Sequence, residues 1–312
     1  MAKKITTIGG QALMEGIMMV GPTRTTAAFC SESGVISTED LSVSRITKKY
    51  PILGKPFIRG IFSMIDTFRL GYKALSLSAD KVTEDLGEEE LTGLDKWLDE
   101  HLGDKLTGII MTIGTVLGLG LAIVLFFMLP TFLFNLLQGA LPGDISGWRS
   151  VFEGVLRIGI FVGYVLIVSQ MKEIKRTFQY HGAEHKTIFC YEADLPLTVE
   201  NVRGQGRFHP RCGTSFMILM LLLGIIVGFF IPFSNPVLRT VVKLLCIPVI
   251  VNLGYEVQKA CARHDNLLCR LITAPGLWMQ RITVKEPDDK MIEAAIAAME
   301  AVIPENGEDL VR

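Results

Sequence analysis

TGIIMTIGTVLGLGLAIVLFFMLPTFLFNLLQ, residues 107–138, carries no charged side chain in 32 positions. A helix needs roughly 20 apolar residues to cross a bilayer core about 30 Å thick, so this stretch decides the fold class. It is longer than a straight span requires, and a tilt or a bend at Pro130 is expected. Working outward, residues 151–171 make a second span with Glu153 and Arg157 near its start. Residues 216–233 (FMILMLLLGIIVGFFIPF) make a third. Residues 237–256 make a fourth, with Lys243, Pro248 and Asn252 inside it. One charge at mid-membrane costs on the order of 3 kcal/mol. Arg157 and Lys243 lie near the short-loop ends of their helices, where snorkelling is expected to relieve most of that cost.

Composition agrees with a membrane protein. The 312 residues are 49% hydrophobic and 20% charged, with a mean hydropathy of +0.40, against roughly 25% charged in an ordinary soluble domain. A net charge of −1 gives no case for a nucleic-acid partner, and the partner expected is the lipid bilayer. The six cysteines contain no C-x-x-C pair and do not read as a disulfide framework. MAKKITTIGG has no apolar core after its lysines, so no cleavable signal peptide is expected.

The connections set an orientation. Residues 139–150 and 234–236 are short and hold one basic residue, Arg149, whereas 13 Lys/Arg precede the first span and 7 fall in each of 172–215 and 257–312. Positive-inside counting places those three segments in the cytoplasm. The expectation is a multi-pass protein of the cell membrane with both termini cytoplasmic.

The remaining segments suggest a small α+β cytoplasmic region. Residues 1–50 read as a β-rich segment, because TRTTAAFCSESGVISTEDLSVSR alternates and breaks at Ser33-Gly34 in a hairpin-like turn. In 51–106, Ile58, Ile61, Phe62, Ile65, Phe68, Tyr72 and Leu75 recur at helical spacing with charges between them. An amphipathic helix on the membrane surface or against the spans fits this better than a fifth span. A solvated linker or surface helix follows, with the run Gly87-Glu88-Glu89-Glu90. Residues 107–256 form the four-span membrane domain with its cytoplasmic loop 172–215. In 257–312, EPDDKMIEAAIAAMEAVIPE is a well-marked helix, opened by Pro287 and the aspartates and stopped by Pro304. The fold class is thus a mainly α integral membrane protein. It has four transmembrane helices and a cytoplasmic region built from the N-terminal segment, the 172–215 loop and the C-terminal helix.

The chemistry gathers in YHGAEHKTIFCYE, residues 180–192. Nothing in the sequence breaks the second span's helix before about Cys190, so His181, Glu184 and His185 (H-x-x-E-H) are expected on one face of its extension. Two histidines at i,i+4 can converge on one ion, with an unligated carboxylate beside them to activate water. H-x-x-E-H is the pattern of inverted zinc peptidases, whose further ligand is a more distant glutamate. GRFHPRCGTSF adds His209 and Cys212 as H-x-x-C in a turn just before the third span. Two histidines on a helix plus His and Cys on a turn make a set suited to Zn2+ or another divalent transition metal. Glu256, at the end of the fourth span, is a further candidate ligand. The cluster Cys261, His264 and Cys269 reads as polar surface.

GGQALMEGIMMVGP (9–22), HGAEHKTIFCYE (181–192), FHPRCGTSF (208–216) and APGLWMQRITVKEPDD (274–289) together resemble the YqhQ-like bacterial membrane proteins. That resemblance spans nearly the whole chain and implies a membrane protein labelled "predicted metal-dependent enzyme", with no substrate attached. It focuses attention on Gln11 and Glu15. These belong either to a glycine-rich strand and turn packed on the membrane domain, or over the metal as substrate-binding or acid/base groups. PGLWMQR reads as an interfacial anchor, Pro275-Gly276 turning the chain and Trp278 at headgroup level.

Three functions remain open at this stage. The first is a zinc-dependent hydrolase at the cytoplasmic membrane face with Glu184 as general base. The second is a non-catalytic scaffold or assembly protein in which the four His/Cys ligands form a structural clip. The third is a transporter, for which four spans are few unless the chain forms a homo-oligomer; G-x-x-x-G at 114–118 suits close helix packing.

Overall fold

The computed structural model describes residues 4–31, 33–41, 46–86, 104–264 and 266–310. The Gly87-Glu88-Glu89-Glu90 run and most of the linker lie outside the described residues. The chain forms two compact units, one of Met1–Asp85, Val165–Leu219 and Asn252–Arg312, the other of Leu86–Tyr164 and Met220–Val251.

The first unit is built on an antiparallel meander of β1 (Gly9–Leu13), β2 (Gly16–Val20), β3 (Thr25–Cys30) and β4 (Ile36–Asp40). Met14 and Glu15 alone join β1 to β2, with Glu15 at a φ of 48°. Gly34 takes a φ of 78° in the β3–β4 hairpin, where Ser31 N–H donates to the Val35 carbonyl at 3.0 Å. Side-chain alternation then sorts the sheet into two apolar faces. Leu13, Met18, Ala27 and Phe29 line one face, and Ile8, Ile17, Met19 and Ala28 the other.

The short helix α1 (Ile46–Lys49) precedes α2 (Arg59–Leu86), which covers the first face through Ala74. Ser78 Oγ donates to the Met14 carbonyl at 2.6 Å. On the opposite side of α2, Phe68, Tyr72 and Leu75 point outward and are exposed, while the face toward the sheet is made of small residues. The reason is proximity: a Cβ on Gly71 would lie 2.7 Å from Gln11 Oε1, so only a small-residue face can sit this close to the strands.

The second face of the sheet is covered by α6 (Lys172–Glu192) and α11 (Asp289–Glu300), which share one core through Tyr180, Ala183, Met291, Ala295 and Met299. The Asp288 carboxylate caps α11 by accepting from Met291 N–H at 2.9 Å, as its aspartate-rich start suggested. Gly182 of α6 meets the chain entering α11, and a Cβ there would sit 2.0 Å from the Lys285 carbonyl oxygen. Gly182→Ala should therefore cost roughly 1–3 kcal/mol through overpacking, read as a lower melting temperature of the detergent-purified protein.

Helix α6 is not the continuation of the second span. The span's helix, α5 (Arg149–Val168), ends, and α6 restarts after Met171, whose ψ of 138° is extended. No Gly or Pro marks the break. The backbone tightens to i,i+3 bonds at Gln170 and Met171. Ser169 Oγ and the Gln170 amide both donate to the Leu166 carbonyl, so side chains complete the helix end. Helix α10 (Leu267–Thr283) gives a second correction, because it runs unbroken through Pro275 and Gly276, which do not turn the chain. Gly276 instead lets Ser215 approach, a Cβ there lying 2.6 Å from that residue.

Among the described residues, three helices are long and apolar enough to cross a membrane: Thr112–Ala140, Ser146–Val168 and Pro236–Arg263. The first joins α3 (Asp104–Ile123) to α4 (Leu129–Ala140) through a π-turn at Val124–Met128. Pro130 explains the π-turn. It has no N–H for the Phe126 carbonyl four residues back, and Arg157 Nε donates to that oxygen at 2.6 Å instead. After the short α7 (Val199–Arg203), the third-span segment forms only the 16-residue α8 (Gly213–Gly228). The third of the long helices is α9 (Pro236–Arg263), which has Pro248 inside it.

Arg157 and Lys243 do not snorkel. Both are buried, and Lys243 Nζ reaches Glu153 Oε2 at 2.5 Å. Arg239 Nε shares the same carboxylate at 3.0 and 3.1 Å, while its other nitrogens serve Ser150 Oγ and the carbonyls of Gly228, Ile231 and Phe233. Glu153, 1% exposed, thus neutralises charge inside the helical unit.

Candidate metal centre

Four residues apart on α6, His181 and His185 stack their rings edge to face with centroids 4.4 Å apart. Each ring is oriented from behind by a backbone carbonyl. His181 Nδ1 lies 3.0 Å from the Thr283 oxygen and His185 Nδ1 lies 2.6 Å from the Arg207 oxygen. A carbonyl can only accept, so both Nδ1 atoms carry the proton and both Nε2 atoms keep a lone pair in the neutral ring. Such an outer hydrogen bond is what fixes an imidazole as an Nε2 metal ligand.

Cys212 supplies a third donor. It stands immediately before α8, and its Sγ lies 3.1 Å from His181 Nε2. The Thr214 N–H, in the first turn of α8, points at the same sulfur at 3.4 Å, an arrangement suited to a negative ligand atom. Among the described residues, His181, His185 and Cys212 form the group whose ligand atoms all fall within 4.8 Å of one another. Donors 2.0–2.3 Å from a common ion stand roughly 3–4 Å apart, so small side-chain rotations bring this set onto one ion. Two imidazoles and a thiolate are chemically matched to a borderline-soft divalent metal.

The other sequence candidates lie differently. The His209 ring is 5.5 Å from that of His185, but its nitrogens are engaged elsewhere. Nδ1 accepts from Arg211 N–H at 3.3 Å, and Nε2 lies 3.2 Å from Arg211 Nη2 and 3.8 Å from Glu192. Burial, reinforced by Arg211, pushes His209 down to about 4 despite the opposing carboxylate, so it is neutral at physiological pH. The Glu256 carboxylate is engaged elsewhere. It holds Arg59 in a two-pronged pair at 2.8 and 2.6 Å. Glu15 likewise pairs with Arg176. The Gln11 amide rests against Gly71 of α2.

Glu184 occupies the place its spacing suggested, buried beside the histidines. Burial pushes its carboxyl above the ordinary range, while His181 and the Gly10 N–H, which it accepts, pull the other way. A Cβ on Gly10 would come within 3.0 Å of that carboxyl carbon, so the glycine admits Glu184 to the strand. Glu184, His181, His185 and Cys212 all line one cavity of about 770 Å³, walled by Ile5–Ala12 of the β1 segment and by Tyr255, Gln258, Lys259, Ala262 and Arg263 of α9.

A family described as "Protein of unknown function (DUF1385)" matches residues 55–305. The chain belongs to that family. It is also 33% identical over 296 residues to the "Uncharacterized protein YqhQ" of Bacillus subtilis (strain 168), covering 95% of this chain and 92% of that protein. No solved structure matches. The family match contains every donor of the His181/His185/Cys212 group, while the strand that walls the cavity lies before it.

Sequence spacing alone missed the groups that hold the candidate ligands in place. Gln280, fully buried, accepts from His209 N–H at 2.8 Å and donates to the His209 carbonyl at 2.7 Å and to Ser215 Oγ at 2.9 Å. It therefore clamps the turn that carries Cys212. The PGLWMQR segment has this buried function as well as an exposed Trp278. Backbone carbonyls such as those of Arg207 and Thr283 leave no residue-type signal at all.

Proposed function

We propose that this protein is a membrane-bound, metal-dependent hydrolase. Its zinc is held by His181, His185 and Cys212, and Glu184 is its general base. The observation that carries the reading is the pairing of three preoriented donors with a buried carboxylate that is not one of them. Three protein ligands leave one tetrahedral position for a reactant, as catalysis requires. The engagement of His209 with Arg211 and Glu192 argues against a closed four-ligand clip.

A bound zinc ion supplies Lewis acidity and lowers the cost of forming hydroxide near neutral pH. Glu184 receives the proton lost by the attacking water and returns it to the leaving group. Its raised affinity for protons suits that exchange. His181 and His185 are kept from rotating by Thr283 and Arg207. Candidate span α9 ends in the cavity wall, which supports catalysis at a membrane face. A four-span arrangement with α8 as the short span, both termini cytoplasmic and the site on that side, completes the proposal.

Elemental analysis of full-length protein extracted in mild detergent provides the test. Roughly one zinc per chain is expected. His181→Ala and Cys212→Ala should lose it, whereas His209→Gln and Glu256→Gln should retain it. Metal-free wild type would overturn the reading. Equal metal loss in the His209 variant would favour the structural clip instead.

A further inference from the structure

We infer that the ligand of the cavity is an extended polypeptide segment that pairs with the free edge of β1. This inference names a substrate class for the proposed hydrolase and in that respect rests on that reading. It begins with strand order. Among the described residues, β1 is an edge strand, paired only with β2. The two-residue turn makes Leu13 and Gly16 a hydrogen-bonded pair, so the backbone groups of Leu13, Gln11 and Gly9 point at β2. Thr7 continues that parity, donating to the Asp309 carbonyl at 2.6 Å.

The alternate residues face away from the sheet, and their partners show what lies there. Thr6 N–H donates to Glu192 Oε1 at 2.9 Å and its carbonyl accepts from Arg211 Nη1 at 2.6 Å. Ile8 N–H is turned back to Thr6 Oγ1 at 3.1 Å. Gly10 N–H serves Glu184. The outward edge of β1 therefore runs alongside the proposed general base. Its next outward groups are the Gly10 carbonyl and both backbone groups of Ala12, and among the described residues no strand pairs with them. An arriving peptide can accept from Ala12 N–H and donate to the Gly10 or Ala12 carbonyl. Its own backbone amide is thereby held along the cavity that contains Glu184, His181, His185 and Cys212. Strand addition of this kind supplies affinity through main-chain bonds and leaves selectivity to side-chain pockets.

Gly9 is the second, independent observation. It lines the cavity, yet a Cβ there would meet nothing within 4 Å, unlike Gly10, whose Cβ would collide with Met18 and Met19. Internal packing does not call for a glycine at position 9. A strand glycine with open space above it is the form that close approach by another backbone takes.

The test uses the full-length protein in detergent, immobilised and exposed to a pool of randomised 12-residue peptides, with retained peptides identified by mass spectrometry. Wild type is expected to retain a defined subset. Gly9→Leu, which fits the free protein, should abolish retention. Ala12→Pro deletes an N–H that faces away from β2 and should weaken binding roughly three- to tenfold. N-methylation of a retained peptide should weaken it at alternate residues only, the signature of strand pairing. Circular dichroism and zinc content of both variants should match wild type, which separates loss of pairing from loss of fold or metal. Retention of no peptide by wild type, or undiminished retention by both variants, would overturn the inference. Peptide retention by a wild type that holds no zinc would uphold strand pairing while removing the hydrolase.

Discussion

Glu153→Ala should be the most destabilising single substitution in the helical unit, costing about 3–5 kcal/mol or more. Glu153 is the carboxylate shared by Arg239 and Lys243, and all three are buried. The two cations differ in what they keep when it is removed. Arg239 retains three carbonyls and Ser150 Oγ. Lys243 loses the contact at 2.5 Å and is left as an unneutralised ammonium between apolar helices. A charge in that position is far costlier than in water, because neither lipid nor side chains can replace its hydration shell. The double variant Glu153→Gln, Lys243→Met should accordingly recover most of the loss, since it removes both the charge and its lost partner. Thermal unfolding in detergent reads both effects. A Glu153→Ala protein as stable as wild type would show that the ionic cluster is not structural.

That cluster also shows what single-sequence reading can and cannot reach. The apolar lengths of α3–α4, α5 and α9 were visible because a membrane span is a local composition property. The same holds for the β3–β4 hairpin, announced by Ser33-Gly34, and for α11, announced by Asp288 and its alanine-rich period. The i,i+4 relation of His181 and His185 was legible once a helix was granted. Pairing between distant elements was not. Glu153 stands 86 residues from Arg239, and Glu256 stands 197 from Arg59, so neither spacing nor residue type distinguishes an ion pair from a metal ligand. That Cys212 rather than His209 joins the His181/His185 group depends on where Arg211 and Glu192 fall, which is a tertiary fact. The break at Ser169–Met171 escaped because hydroxyl and amide side chains, not Gly or Pro, end the helix there. Apolar periodicity on α2 was real, but it marks the outward face. The inner face was written in Gly71, Ala74 and Ser78, residues that a hydrophobicity pattern does not reward.

The outward stripe of α2 (Phe68, Tyr72 and Leu75), together with exposed Leu267, Leu268, Leu271 and Trp278 on α10, gives the first unit apolar surface of its own. Side chains of this kind belong at a membrane interface rather than in bulk water. The cavity that holds Glu184 is therefore in a unit with both a bilayer-compatible surface and a strand edge.

Glu184→Gln should separate catalysis from folding more sharply than any other change. The amide has the shape of the carboxylate, and its oxygen can still accept from Gly10 N–H, so the contact between α6 and β1 survives. His181, His185 and Cys212 keep their outer hydrogen bonds, and zinc content should equal that of wild type. What the variant cannot do is take a proton. General-base catalysis contributes typically 10²–10⁴-fold, and cleavage of retained peptides, followed by mass spectrometry, should fall by roughly that factor. Stability should move the other way or not at all, because burial disfavours the Glu184 charge and the amide removes that cost. An inactive variant with full zinc and an unchanged or higher melting temperature is the expected result. If cleavage persists at the wild-type rate, Glu184 is not the base. If zinc is lost together with activity, the carboxylate is a ligand, and the three-donor centre must be redrawn with Glu184 inside it.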